Sequence, residues 1–172
     1  SIMLEKIKSK IIKEENFEKF RKSNLNKKIV FCSGCYDILH PGHIVFFEKC
    51  KQKGDLLIVG IGRDSVIRKL KGRNRPINSE ENRLFLVASM QNVDFVCLNQ
   101  EKLEDNEIDF IKTFELLKPD IYCLNEDNKS IEINRNFANE MGAEFVLIEK
   151  DLPDFLEKTS TSNIIKKLDL SN

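Results

Sequence analysis

The sequence carries no net charge. Its 28 lysines and arginines are balanced by 28 aspartates and glutamates, so no overall field draws it to nucleic acid or to an anionic membrane. No apolar run approaches the roughly 20 residues that a transmembrane helix needs, and the first residues lack a secretory-signal pattern. Internal repeats and low-complexity tracts are absent too, and 172 residues fit one ordinary domain. The five cysteines are an odd number in a chain without the composition of a small secreted protein. They point to reduced thiols and a cytoplasmic setting. Histidine is scarce as well, with two in the whole chain.

Those two stand three positions apart, in His40-Pro41-Gly42-His43. An apolar run, Ile29-Val30-Phe31-Cys32, leads into a glycine-containing turn and then into this cluster. Proline is well tolerated in a first helical turn, so a helix is expected to begin near Pro41. Free N–H groups and the helix dipole at such a start favour bound phosphate.

The periodicity predicts an amphipathic helix over 3–22 and a polar connector to Lys28, so that 1–27 stands apart from a domain over 28–172. Strands are expected at Lys28–Cys32, Asp55–Ile61, Asp94–Leu98, Asp120–Leu124 and Glu144–Ile148. Helices are expected at Pro41–Lys53, Ser65–Leu70, Glu80–Met90, Glu107–Leu117 and Ile131–Met141, with a last one from about Ser162. Strands alternating with helices predict an α/β domain whose central parallel sheet is covered on both faces. Such sheets bind ligands beyond the carboxyl ends of their strands, at a topological switch point.

The residues quoted resemble the H-x-G-H nucleotidyltransferase superfamily, the cytidylyltransferase-like enzymes. Gly34-Cys35-Tyr36-Asp37-Ile38-Leu39-His40 is similar to the G-C-F-D-I-L-H of the heptose-phosphate adenylyltransferase branch. Lys71-Gly72-Arg73-Asn74-Arg75-Pro76-Ile77-Asn78, then Glu81-Asn82-Arg83, resembles its K-G-x-x-R-P-x-N and E-x-R segments. Val93-Asp94-Phe95-Val96 and Thr159-Ser160-Thr161-Ser162-Asn163-Ile164-Ile165 match two later blocks.

The resemblance implies a Rossmann-like three-layer fold with an extra N-terminal helix. It also implies transfer of a nucleotidyl group to a phosphorylated small molecule, with pyrophosphate leaving. A phosphomonoester has its second pKa at about 6 and attacks without a general base. The barrier lies in bringing anions together, so cations and N–H donors should dominate the site. His40, His43, Lys71 and Arg83 are the expected catalytic residues. Ser33, Gly34, Cys35, Tyr36, Asp37, Gly42, Asp94, Ser160, Thr161 and Ser162 are the expected nucleotide contacts, Gly42 by letting backbone approach phosphate. Lys69, Asn125 and Asp127 are the expected acceptor contacts. Mg²⁺ is expected with the triphosphate, with no protein side chain assigned to it. The extra helix is free to pack on the sheet or to support a homodimer.

Blander readings compete. The histidines can cap or pack, Lys69 and Lys71 can be ordinary solvated lysines, and Thr159–Ser162 can be a helix cap alone. Cys32-x-x-Cys35 with His40-x-x-His43 offers four zinc ligands, but only four residues separate the pairs, against ~12 in a zinc finger. A class I aminoacyl-tRNA synthetase would need a longer chain and a K-M-S-K-S-like segment. A nucleotide-binding regulatory module without catalysis stands outside both. At Asn125-Glu126-Asp127-Asn128 the heptose branch has a glycine-rich segment that this chain lacks. ATP with a sugar 1-phosphate is the expected pair, and CTP with a phosphorylated polyol the alternative.

Overall fold

The structure, a computed structural model, describes residues 1–101 and 107–170. Helices α1 (Ile2–Ser9) and α2 (Phe17–Ser23) precede strand β1 (Ile29–Gly34) and helix α3 (Pro41–Lys51). Strand β2 (Leu56–Ile61) is followed by α4 (Asp64–Lys71) and α5 (Glu80–Ala88), then β3 (Phe95–Leu98) and α6 (Ile111–Leu116). Strand β4 (Ile121–Asn125), α7 (Ile131–Glu140), β5 (Glu144–Ile148) and α8 (Thr161–Leu170) complete the described chain. The five strands form one sheet in the order β3-β2-β1-β4-β5, parallel throughout. The order reverses between β1 and β4, which places the switch point where Gly34 and Asn125 end their strands. Among the described residues no helix is long and apolar enough to cross a membrane.

Apolar runs make these strands because both sheet faces are covered. In β1, Val30 and Cys32 join one core cluster with Phe46, Phe47 and Leu84, while Ile29 and Phe31 join the other with Phe114, Tyr122 and Phe137. The sequence reading of strands and layers holds. One helix is shorter than expected: α6 begins at Ile111, after Ile108 and Phe110 have turned into the core.

The N-terminal helix is a second departure. It breaks after Ser9, and residues 10–12 cross the β3 edge of the sheet. Val96 donates to Lys10 O and accepts from Ile12 N, at 2.9 and 2.8 Å. Ile11 packs against one core cluster and Ile12 belongs to the other. That alternation is a strand's, hidden inside an apparent helical period. Helices α1 and α2 thereby lie on opposite faces, beside α5 and α6. Lys10 Nζ donates to Ala88 O, Met90 O and Val93 O, at 2.9, 3.1 and 2.7 Å.

Candidate active site

The histidine segment leaves β1 at the switch point and starts α3. His40 is the helix cap: its Nδ1 accepts from Gly42 N (3.1 Å), while His40 N donates to His43 Nδ1 (3.2 Å). This is a capping box built from two imidazoles. The rings lie 4.0 Å apart between centroids. A Cβ on Gly42 would come within 2.7 Å of the His40 ring, so glycine is required there to let that ring fold back. The Gly42 N–H is taken up by the His40 imidazole, while Gly42 itself lines the cavity beside both rings.

The cap fixes the chemistry of both rings. A nitrogen that accepts an N–H carries no proton, so each neutral ring holds its proton on Nε2. Burial, with the nearby Lys150 charge, lowers the proton affinity of His40. Burial, then His40, Lys150 and Lys71, push His43 down to about 4. Near neutral pH both imidazoles are uncharged hydrogen-bond donors through Nε2. Tyr36, expected to contact nucleotide, turns its ring into the core and packs edge-on against His43, at 5.4 Å between centroids. It supports the imidazole and also borders a 220 Å³ cavity beside it.

Three adjoining cavities open around these rings. The largest, 510 Å³, is lined by His40, His43, Asn125 and the loop from β5 to α8, including Lys150 and Lys158. A 320 Å³ cavity lies across the switch point, lined by Ser33, Lys71, Asn99, Asn128, Ser130 and Asn134 among others. Between them a 220 Å³ cavity touches Gly34, Cys35, His43, Lys71, Arg75 and Thr161. Thr161 ties the start of α8 to the loop after β1 by donating to Ile38 O at 3.1 Å. Ser160 caps α8 through Asn163 N.

Lys71 is carried on a segment braced at both ends. At one end Arg83 is completely buried. Its guanidinium donates to Asn78 O (2.9 Å), Cys35 O (2.9 Å), Gly62 O (2.8 Å) and Asp64 Oδ1 (2.7 Å), so it anchors the start of α4. With no surface exposed and every nitrogen engaged, Arg83 is a positioning residue, and the expected triphosphate contact is corrected. At the other end α4 stops at Gly72, whose φ of 96° suits glycine. The chain beyond is pinned to Asp37, which accepts from Arg75 Nε, Ile77 N and Asn78 N, at 2.9, 2.8 and 2.8 Å. Burial would raise the Asp37 carboxyl, but these donors outweigh it and hold it below the usual range.

Other expected residues fall elsewhere. Asp94 lies at the amino-terminal end of β3, on the far edge of the sheet, and binds Lys51 Nζ (2.6 Å) and Leu57 N (2.7 Å). This corrects its assignment to the nucleotide. Lys69 and Ser162 are exposed and line none of the three cavities. Asp127 pairs with Lys150 at 2.6 Å. Sequence reasoning missed Asn99, Arg75 and Lys150. Asn99 directly follows β3 and Lys150 closely follows β5, so position beyond a strand's carboxyl end was the signal available.

The comparisons agree with this geometry. The sequence model described as cytidylyltransferase-like matches residues 31–168. The bifunctional protein HldE of Campylobacter jejuni subsp. jejuni is 40% identical over 98% of this chain and 35% of its own length. HldE of Helicobacter hepaticus is 39% identical over 96% of this chain and 31% of its own. The chain thus spans about a third of these relatives. A lipopolysaccharide core biosynthesis protein from Thermoplasma volcanium superposes with a TM-score of 0.59 at 32% identity, covering 74% of this chain and 99% of that one. A pantoate-beta-alanine ligase from Francisella tularensis has a TM-score of 0.61 at 19% identity, covering 84% and 68%, and shares the fold. With the paired histidines at the switch point and a match over most of its length, the chain belongs to the cytidylyltransferase-like family of nucleotidyltransferases.

Proposed function

We propose that this chain transfers the adenylyl group of ATP to a sugar 1-phosphate of the heptose 1-phosphate type, forming an ADP-sugar and pyrophosphate. The observation that carries the reading is the double imidazole cap, which leaves two neutral Nε2–H donors between cation-bearing loops. A phosphate oxygen of the acceptor attacks the α-phosphorus, and the bond to the pyrophosphate oxygen breaks. Hydrogen bonds from His40 and His43 strengthen as charge builds on the phosphoryl oxygens. Lys71 reduces repulsion between the two anions where the cavities meet. The 510 Å³ cavity beside the imidazoles suits the nucleotide. The cavity with Ser33, Asn99, Asn128 and Ser130 suits a hydroxyl-rich acceptor, because its side chains both donate and accept.

Mg²⁺ fits as a passenger of the triphosphate. Among the described residues no three metal-ligating side chains converge, and both Asp37 oxygens already accept hydrogen bonds. When bound, the ion would neutralise part of the triphosphate charge. CTP remains the second reading, because the Asn125–Asn128 segment departs from the heptose branch.

A pyrophosphate-release panel crossing ATP and CTP with sugar 1-phosphates and polyol phosphates tests the proposal. ATP with a sugar 1-phosphate is expected to turn over, and His40→Ala and His43→Ala are each expected to lose about 10²–10³ in kcat. Turnover with CTP alone refutes the choice of base, and undiminished turnover in both variants refutes the role of the imidazoles.

A further inference from the structure

Lys150 stands at the cavity on a backbone fixed from three directions. Its N–H donates to Glu126 Oε1 at 3.0 Å. On either side Lys49 Nζ donates to Glu149 O at 2.9 Å and pairs with the Asp151 carboxylate. Only the Lys150 side chain is left to move. It lines the 510 Å³ cavity beside both imidazoles, while Lys71 approaches His43 from the β2 side of the switch point. Its ammonium meets Asp127 Oδ2 at 2.6 Å, with the two side chains 46% and 51% exposed. An ion pair so exposed contributes at most about 1 kcal/mol. A phosphate chain with several negative charges competes easily for that ammonium through charge-assisted hydrogen bonds.

We propose that Lys150 is the second arm of a cationic clamp on the nucleotide's phosphate chain, opposite Lys71, and that Asp127 is the counter-ion it leaves on binding. The proposal rests on the reading of the 510 Å³ cavity as the nucleotide's. It gives Asp127 a role that sequence reasoning assigned to the acceptor. The same ammonium adds to burial in lowering the proton affinity of both imidazoles.

Calorimetric titration of the full chain with inorganic tripolyphosphate tests this without base, sugar or turnover. The test therefore stays readable even if no sugar phosphate proves to be a substrate. Lys150→Gln is expected to weaken tripolyphosphate binding by about tenfold, the loss of one contact to a charged group. Asp127→Asn is expected to leave binding unchanged or to tighten it by up to about fivefold, the most an exposed pair can withhold. Both side chains are exposed, so both variants should melt with the wild type. A Lys150→Gln loss smaller than about threefold overturns the clamp. An Asp127→Asn loss as large as that of Lys150→Gln overturns it also, because the pair would then act as a structural unit.

Discussion

Arg83→Met tests whether the buried arginine anchors the site or touches its ligand. Methionine keeps an unbranched apolar stem but removes every donor. Three backbone carbonyls lose their partner, and Asp64 loses its ion pair beneath a surface only 25% exposed on the aspartate side. Breaking a buried pair by deleting one member costs about 3–5 kcal/mol. The orphaned carbonyls could add more, but water entering the vacated space offsets part of that. Against a typical domain stability of about 5–15 kcal/mol this is a large fraction. At about 2–4 °C per kcal/mol for a chain of this length, the midpoint should fall by about 6–20 °C. Far-UV circular dichroism during heating and in urea measures it. Activity measured well below the new midpoint should fall as well, because Arg83 holds the segment that carries Lys71. A melting curve within about 2 °C of wild type, with tripolyphosphate affinity lost, would refute the reasoning and make Arg83 a phosphate ligand.

Acid should weaken the fold through His43. Its folded value of about 4 lies below the unfolded one, so the unfolded chain binds the extra proton between the two, and stability rises with pH across about 4 to 6.5 and is flat above. The share from His43 is about 2–3 kcal/mol, and urea titrations of His43→Gln should show that much less loss over the window; equal slopes in both proteins would contradict the burial argument. Asp94→Asn should cost about 1–3 kcal/mol in urea, because Leu57 N and Lys51 are left with a weaker partner, and leave KM and kcat unchanged. A tenfold kinetic defect in Asp94→Asn would return that residue to the site.

The strands were legible because a doubly covered parallel sheet writes itself as short apolar runs, and the histidine pair because two of its neighbours, Pro41 and Gly42, are helix-start chemistry. What stayed hidden was the partner of each charge. Arg83 reads as a catalytic cation on an E-x-R helix, yet its donors end on atoms from Cys35 to Asn78 that only the fold brings together. Asp94 sits at the amino-terminal end of its strand, opposite the site, a distinction that depends on strand direction and not on local pattern. The break at residues 10–12 was masked because Ile7, Ile11 and Ile12 fit a helical period and a sheet-edge crossing equally well.

That crossing leaves the sheet with unequal edges. Hydrogen bonding to residues 10–12 occupies the outward groups of Val96, and β5 forms the other border of the sheet. A sheet open on both sides can add copies without limit, as fibres do; one that can be joined on a single side stops at two. Loosening the first dozen residues would therefore change more than stability. It would uncover the outward backbone groups of Val96 and give the sheet a second border open to strand addition.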